Sequence, residues 1–159
     1  MKKLLLAVLL TVATTSAFAQ FTKGTKYVGA SLTGLNLAIN DRQHLSFGLD
    51  AKAGYFIKNN WMVEGTFGWH TSRTHLDRCQ IGAKLRYTQV ENGLYYACGL
   101  KYVHERKSFN DLQLTPELGY CYYLNHYISV EPALYYDMSF TNFSNKSEVG
   151  LKVGIGIYF

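Results

Sequence analysis

From Glu148 to Phe159 every second residue is apolar: Val149, Leu151, Val153, Ile155, Ile157 and Phe159 alternate with Glu148, Gly150, Lys152, Gly154, Gly156 and Tyr158. A period of two puts one set of side chains on each face of an extended strand, one face oily and the other polar or small. The same rhythm recurs upstream. Lys26–Gly34 sets Val28, Ala30 and Leu32 against Tyr27, Gly29, Ser31 and Thr33. His44–Phe56 sets Leu45, Phe47, Leu49, Ala51, Ala53 and Tyr55 against Ser46, Gly48, Asp50, Lys52 and Gly54. Trp61–His70 opposes Trp61, Val63, Phe67 and Trp69 to Glu64, Thr66 and His70, and Arg78–Tyr87 opposes Cys79, Ile81, Ala83, Leu85 and Tyr87 to Arg78, Gln80, Lys84 and Arg86.

Leu94–Val103 is the weakest segment, because Tyr95, Ala97 and Val103 blur a polar face marked only by Lys101. Leu112–Leu124 recovers the pattern with Leu112, Leu114, Leu118, Tyr120 and Tyr122 against Gln113, Thr115, Glu117 and Cys121. Ile128–Met138 sets Ile128, Val130, Leu134 and Tyr136 against Ser129, Glu131, Ala133 and Asp137. With the terminal segment this makes eight strands, each near the roughly 9 to 11 residues that a tilted strand needs to cross a bilayer. Lys58-Asn59-Asn60, Glu91-Asn92-Gly93 and Asn125-His126 supply hairpin turns. An antiparallel meander is predicted, all β, closing as an eight-stranded up-and-down barrel. Pro116 and Pro132 fall inside strands, where a bulge at each would accommodate the missing donor.

Alternation alone does not say which face is outside, and a soluble lipocalin-like barrel that binds a ligand would turn the apolar face inward. Three features favour the membrane. The polar face carries a near-balanced set of charges, Asp50, Glu64, Glu117, Glu131, Asp137 and Glu148 against Lys52, Arg78, Lys84, Arg86, Lys101 and Lys152. An eight-stranded barrel must fill its interior with side chains, and paired ions can do so where lone ones cannot. Large aromatics gather near strand ends, Tyr27, Tyr55, Trp61, Tyr87, Tyr122 and Tyr127 at one rim and Phe47, Trp69, Tyr102 and Tyr136 at the other, as interfacial girdles require. Glycine also crowds the polar face, where a narrow lumen leaves little room.

Residues 1–19 read as a secretory signal peptide, with basic Lys2 and Lys3, an apolar run from Leu4 to Val12 and an Ala17-Phe18-Ala19 cleavage site. The barrel then occupies residues 20–159. Without Lys2 and Lys3 the chain's 16 basic residues become 14 against 11 acidic ones, a net of +3. That is too mild to argue for nucleic acid, and export argues against it. Cys79 and Cys98 fall on the apolar phase and Cys121 on the opposite one, so free thiols are expected.

Taken together, the leader, the eight amphipathic strands, the inward charges and the closing Val153-Gly154-Ile155-Gly156-Ile157-Tyr158-Phe159 resemble the small outer-membrane β-barrel family of outer-membrane protein X and the transmembrane domain of outer-membrane protein A. The resemblance covers the whole mature chain and is specific for architecture rather than activity. It implies residence in the outer membrane of a Gram-negative bacterium, as a monomer in contact with outer-membrane lipid. It also implies that Val153, Ile155, Ile157, Tyr158 and Phe159 form the signal read by the barrel-assembly machinery.

In that topology the loops near Asn36–Gln43, Thr71–Asp77, Glu105–Asp111 and Ser139–Lys146 face outward. His44, His70, His75 and His104 lie at or near that rim without metal-ligand spacing, and no metal, cofactor or catalytic set is assigned. Arg42, Arg73, Lys107 and Lys146 suit phosphate-rich headgroups and a possible surface ligand. His126, Ser129 and Glu131 are the nearest approach to a hydrolytic set, but they fall at the periplasmic end with Ser129 and Glu131 pointing inward. The expected role is therefore structural or surface-interacting and non-enzymatic, with a lipid A-modifying enzyme as the alternative. The inward charges Asp50, Lys52, Glu64, Lys84, Arg86, Lys101, Glu117, Glu131, Asp137, Glu148 and Lys152 are expected to form one lumen network.

Overall fold

The computed structural model describes residues 21–35, 46–72, 78–105, 109–141 and 147–159. They form β1 (Lys26–Leu35), β2 (Ser46–Lys58), β3 (Trp61–Ser72), β4 (Arg78–Thr88), β5 (Leu94–Glu105), β6 (Phe109–Tyr120), β7 (Tyr122–Tyr123), β8 (Ile128–Ser139) and β9 (Glu148–Tyr158). Strands β1 to β6 pair antiparallel in succession, β8 pairs with β9, β1 pairs with β9, and β6 pairs with β8, so the sheet closes on itself. Because β7 merely resumes β6 beyond a break at Cys121, the nine elements make eight staves.

Closure sorts every stave into an inner and an outer row. Leu32, Phe67, Ile81 and Ile155 are 52% to 66% exposed, whereas Asp50, Lys52, Glu64, Arg86, Glu117, Glu131 and Lys152 are at most 6% exposed. Ions are inside and aliphatic side chains outside. A lipocalin-like barrel would show the reverse.

Strand reaches into two of the expected outer loops, since β3 runs to Ser72 and β6 already starts at Phe109. The strands continue where the hydrophobic rhythm stops: Asp111 is buried on the inner row and Asn110 exposed on the outer one. At a rim both faces meet water, so polarity no longer alternates although the backbone still does. The expected leader, Arg42, Arg73, Lys107, Lys146, His44 and His75 lie outside the described residues, as do the side chains of Phe47 and His70.

Tyr55, Trp61, Trp69, Tyr102 and Tyr127 are exposed at the rims, with Trp61 and Tyr87 packed together at 5.1 Å between ring centroids. Tyr27 is not part of this girdle. It is 1% exposed inside the barrel, because it shares the inward parity of Gly29 and Ser31. With Phe21, Phe56, Met62 and Tyr158 it builds an apolar cluster across the mouth nearest the short turns. Phe21, five residues ahead of β1, folds into that mouth; its ring lies 5.7 Å from Phe56, 5.8 Å from Tyr123 and 6.0 Å from Tyr158.

Inward glycines make room for rings. A Cβ on Gly156 would sit 2.6 Å from the Tyr27 ring, and one on Gly150 would run into the Tyr135 ring. Positive φ occurs at Asn60 (69°) and Gly93 (71°) in hairpin turns and at Gly24 (98°) ahead of β1, a backbone that Asn and Gly adopt at least cost.

Neither proline sits in a bulge. The β6–β8 register is the same on both sides of each, running Leu114↔Met138, Glu117↔Tyr135, Gly119↔Ala133 and then Tyr122↔Val130 in β7. The ladder lapses instead, opposite Pro116 and again opposite Pro132, while β8 stays paired with β9 through Pro132↔Val153. The missing N–H of Pro132 faces β6, which is why the stave divides there; the Cys121 N–H turns to Gly93 O at 2.8 Å. Cys98 is exposed outside, Cys79 half-buried on the same face and Cys121 buried inside, all as free thiols.

Candidate functional site

The interior is the polar feature on which all eight staves converge. Its deepest layer, next to the aromatic mouth, centres on Glu131 of β8 and Arg86 of β4, which are fully buried. The guanidinium crosses the lumen, since β4 and β8 are not neighbours in the sheet. Nη1 donates to Oε2 of Glu131 at 3.0 Å and Nη2 to Oε1 at 3.2 Å. This two-point geometry suits a planar cation to a carboxylate. Three hydroxyls complete the carboxylate's shell: Tyr27 at 2.9 Å, Ser129 at 2.9 Å and Tyr158 at 2.6 Å. Arg86 also stacks 3.8 Å from the Tyr95 ring centre, lies 3.7 Å from Glu64 and donates to the Cys121 sulfur.

The next layer is organised on Glu117 of β6. Lys84 and Lys152 both donate to its Oε2 at 2.7 Å, and Tyr95 donates to Oε1 at 2.7 Å. Lys84 lies 3.4 Å from Glu64, which links this layer to the Arg86 layer below. Lys52 is buried in the same region, beside Gly154. Toward the outer end Lys101 is paired with Asp137, whose other oxygen accepts from Thr115 at 2.8 Å. Gln80 donates to Asp50 at 2.7 Å. Glu148 is half-buried and faces Asp137 across the β8–β9 ladder.

Of the expected lumen charges, Glu64, Lys84, Arg86, Lys101, Glu117, Glu131, Asp137 and Lys152 meet in ion pairs. Asp50, Lys52 and Glu148 face the same interior through other neighbours. Sequence reasoning missed the phenols, although Tyr27 and Tyr95 stand on the polar parity and that parity was the signal. Of the expected assembly residues, Val153, Ile155, Ile157 and Phe159 are 45% to 61% exposed on the outer row, whereas Tyr158 is 5% exposed inside.

This arrangement fills space and fixes strands. Ser129 is fully buried against Glu131, and His126 is exposed on the turn between β7 and β8. His104, outside the barrel, shares a 2.7 Å hydrogen bond through Nδ1 with Asn110 Oδ1. Among the described residues no group of three His, Cys, Asp or Glu side chains could hold a metal ion.

A family model described as the outer membrane protein beta-barrel domain matches residues 5–159. No curated protein sequence matches the chain. Among solved structures, the chain is similar to the N-terminal β-barrel domain of Pseudomonas aeruginosa OprF, at 13% identity over 86% of this chain and 98% of that one, with a TM-score of 0.67. It is similar to Neisserial surface protein A at 14% identity over 85% and 96%, TM-score 0.62. It is also similar to Yersinia pestis Ail in complex with the heparin analogue sucrose octasulfate, at 16% identity over 87% and 100%, TM-score 0.53.

Proposed function

The chain belongs to the outer-membrane β-barrel family, and on that premise we propose a non-enzymatic integral protein whose role in the Gram-negative outer membrane is structural or surface-interacting. The observation that carries the reading is the interior itself. Ion pairs and phenols occupy the lumen from the aromatic mouth to the Lys101–Asp137 pair, leaving the outer surface and the loops as the places where another molecule can bind. The barrel wall meets lipid through its outward aliphatic row, as a monomer. Val153, Ile155, Ile157 and Phe159, with Tyr158 turned inward, serve the assembly machinery as its recognition strand. Arg42, Arg73, Lys107 and Lys146 give the loops a polyanion-binding character. The complex of Ail with sucrose octasulfate, a protein similar in fold, supports that character.

The test is a membrane fraction from cells with and without the gene. The reading expects a detergent-extracted, heat-modifiable band and identical lipid A mass spectra. A lipid A species that disappears with the gene would establish the enzymatic alternative, and a chain that stays in the aqueous fraction would overturn the membrane assignment.

A further inference from the structure

The mouth with short turns, the periplasmic end of such a barrel, carries an uneven charge. Lys23, Lys26 and Lys58 are all exposed, whereas the other turns at this end contribute Glu91 and His126. The fold gathers the lysines. Phe21 O accepts from Asn60 N at 2.8 Å, Gly24 N donates to Phe56 O at 2.9 Å, and Lys23 N donates to Asn59 Oδ1 at 3.0 Å. The segment ahead of β1 is thereby laid across the β2–β3 turn, with Phe21 as its anchor. Lys26 stands opposite Tyr55, and Lys58 opposite Trp61, in the ladders. Three exposed lysines thus share this rim with an exposed apolar shelf of Tyr55, Ile57 and Trp61.

We propose that this rim, from β1 to β3, binds the headgroup of an anionic phospholipid of the periplasmic leaflet. The lysines take the negatively charged phosphate, and the aromatic shelf lies along the glycerol and upper acyl chains. Charge decides the occupant, since a zwitterionic headgroup brings an ammonium of its own against the lysines. The site rests on the outer-membrane reading above but concerns the opposite end from the polyanion-binding loops.

The chain's two tryptophans, Trp61 and Trp69, are both outward-facing and lie at opposite ends of β3. Trp69→Phe therefore leaves one reporter beside the lysines, and Trp61→Phe leaves one at the far rim. The full chain is refolded into vesicles of phosphatidylethanolamine and phosphatidylglycerol with bromine on one lipid or the other, and folding is checked by heat-modifiability. One lysine near an anionic surface favours binding by about fivefold, so Trp61 should show at least about a fivefold preference for quenching by brominated phosphatidylglycerol. The preference should vanish in the folded Lys23→Gln/Lys26→Gln/Lys58→Gln variant and be absent at Trp69. Equal quenching by both lipids, a preference that survives the triple substitution, or an equal preference at Trp69 would each overturn the proposal. Loss of the heat-modifiable band in the parent chain would instead count against the barrel reading.

Discussion

Replacing Arg86 by Met removes the cation that crosses the lumen and leaves Glu131, fully buried, with the hydroxyls of Tyr27, Ser129 and Tyr158 and, more distantly, the Cys121 thiol. Breaking a buried pair by deleting one partner costs about 3–5 kcal/mol, because the survivor is an uncompensated charge. Those donors partly solvate the carboxylate, which places Arg86→Met near the lower end, at about 3 kcal/mol. In Glu131→Gln the amide keeps one oxygen for the phenols but loses the charge that Arg86 faces. The guanidinium retains Glu64 at 3.7 Å and the Tyr95 ring at 3.8 Å, so about 2 kcal/mol is expected from losing one charge-assisted bond pair. The double variant carries neither ion. Glu131→Gln should therefore be stabilising in the Arg86→Met background, by about 1–2 kcal/mol, a reversal of sign that a double-mutant cycle reads directly. The measurement is reversible urea unfolding in phospholipid vesicles, followed by the outward tryptophans. If Glu131→Gln destabilises both backgrounds equally, the two side chains are not coupled and the account of this layer is wrong.

Phe21→Ala should cost about 3 kcal/mol in the same assay, the usual cost of emptying a buried ring site, and a value under about 1 kcal/mol would mean that the residue does not seat in the mouth. Gly150→Ala places a methyl against the Tyr135 ring and should cost about 1–3 kcal/mol by overpacking. Tyr135→Leu in the same chain should recover part of that loss, and no recovery would assign the strain elsewhere. Val153→Arg puts a charge on the outward row of β9 near mid-membrane and should cost about 2–4 kcal/mol, as lipid-facing arginines do there. A neutral result would mean that this face is not in hydrocarbon.

The sequence was legible wherever one side chain's environment depends only on its parity. Leu32, Phe67, Ile81 and Ile155 turn outward and Asp50, Glu64 and Glu131 inward, as a period of two dictates once charge decides which face is wet. Tyr27 shows the limit of reading by residue type. An aromatic near a strand end suggests a girdle, but parity and the small neighbours Gly29 and Gly156 draw it inside. Partner identity was not legible at all. Arg86 and Glu131 are 45 residues apart on non-adjacent staves, and their meeting depends on the stagger of strands around the cylinder, which no local pattern encodes. The same holds for Phe21, whose place in the mouth follows from backbone bonds to the β2–β3 turn. Proline behaviour was misjudged because a bulge is not the only way to lose a donor; the ladder can simply skip it.

That skipping has a mechanical meaning. Both gaps fall along one seam, where β6 and β7 together meet β8 through seven residue pairs, against eight on either side of β1 and twelve between β2 and β3. A cylinder with one under-stitched join has a preferred place to tear. Strained by a thinning bilayer, it is expected to open first between the sixth and seventh staves and to unroll into a single curled sheet.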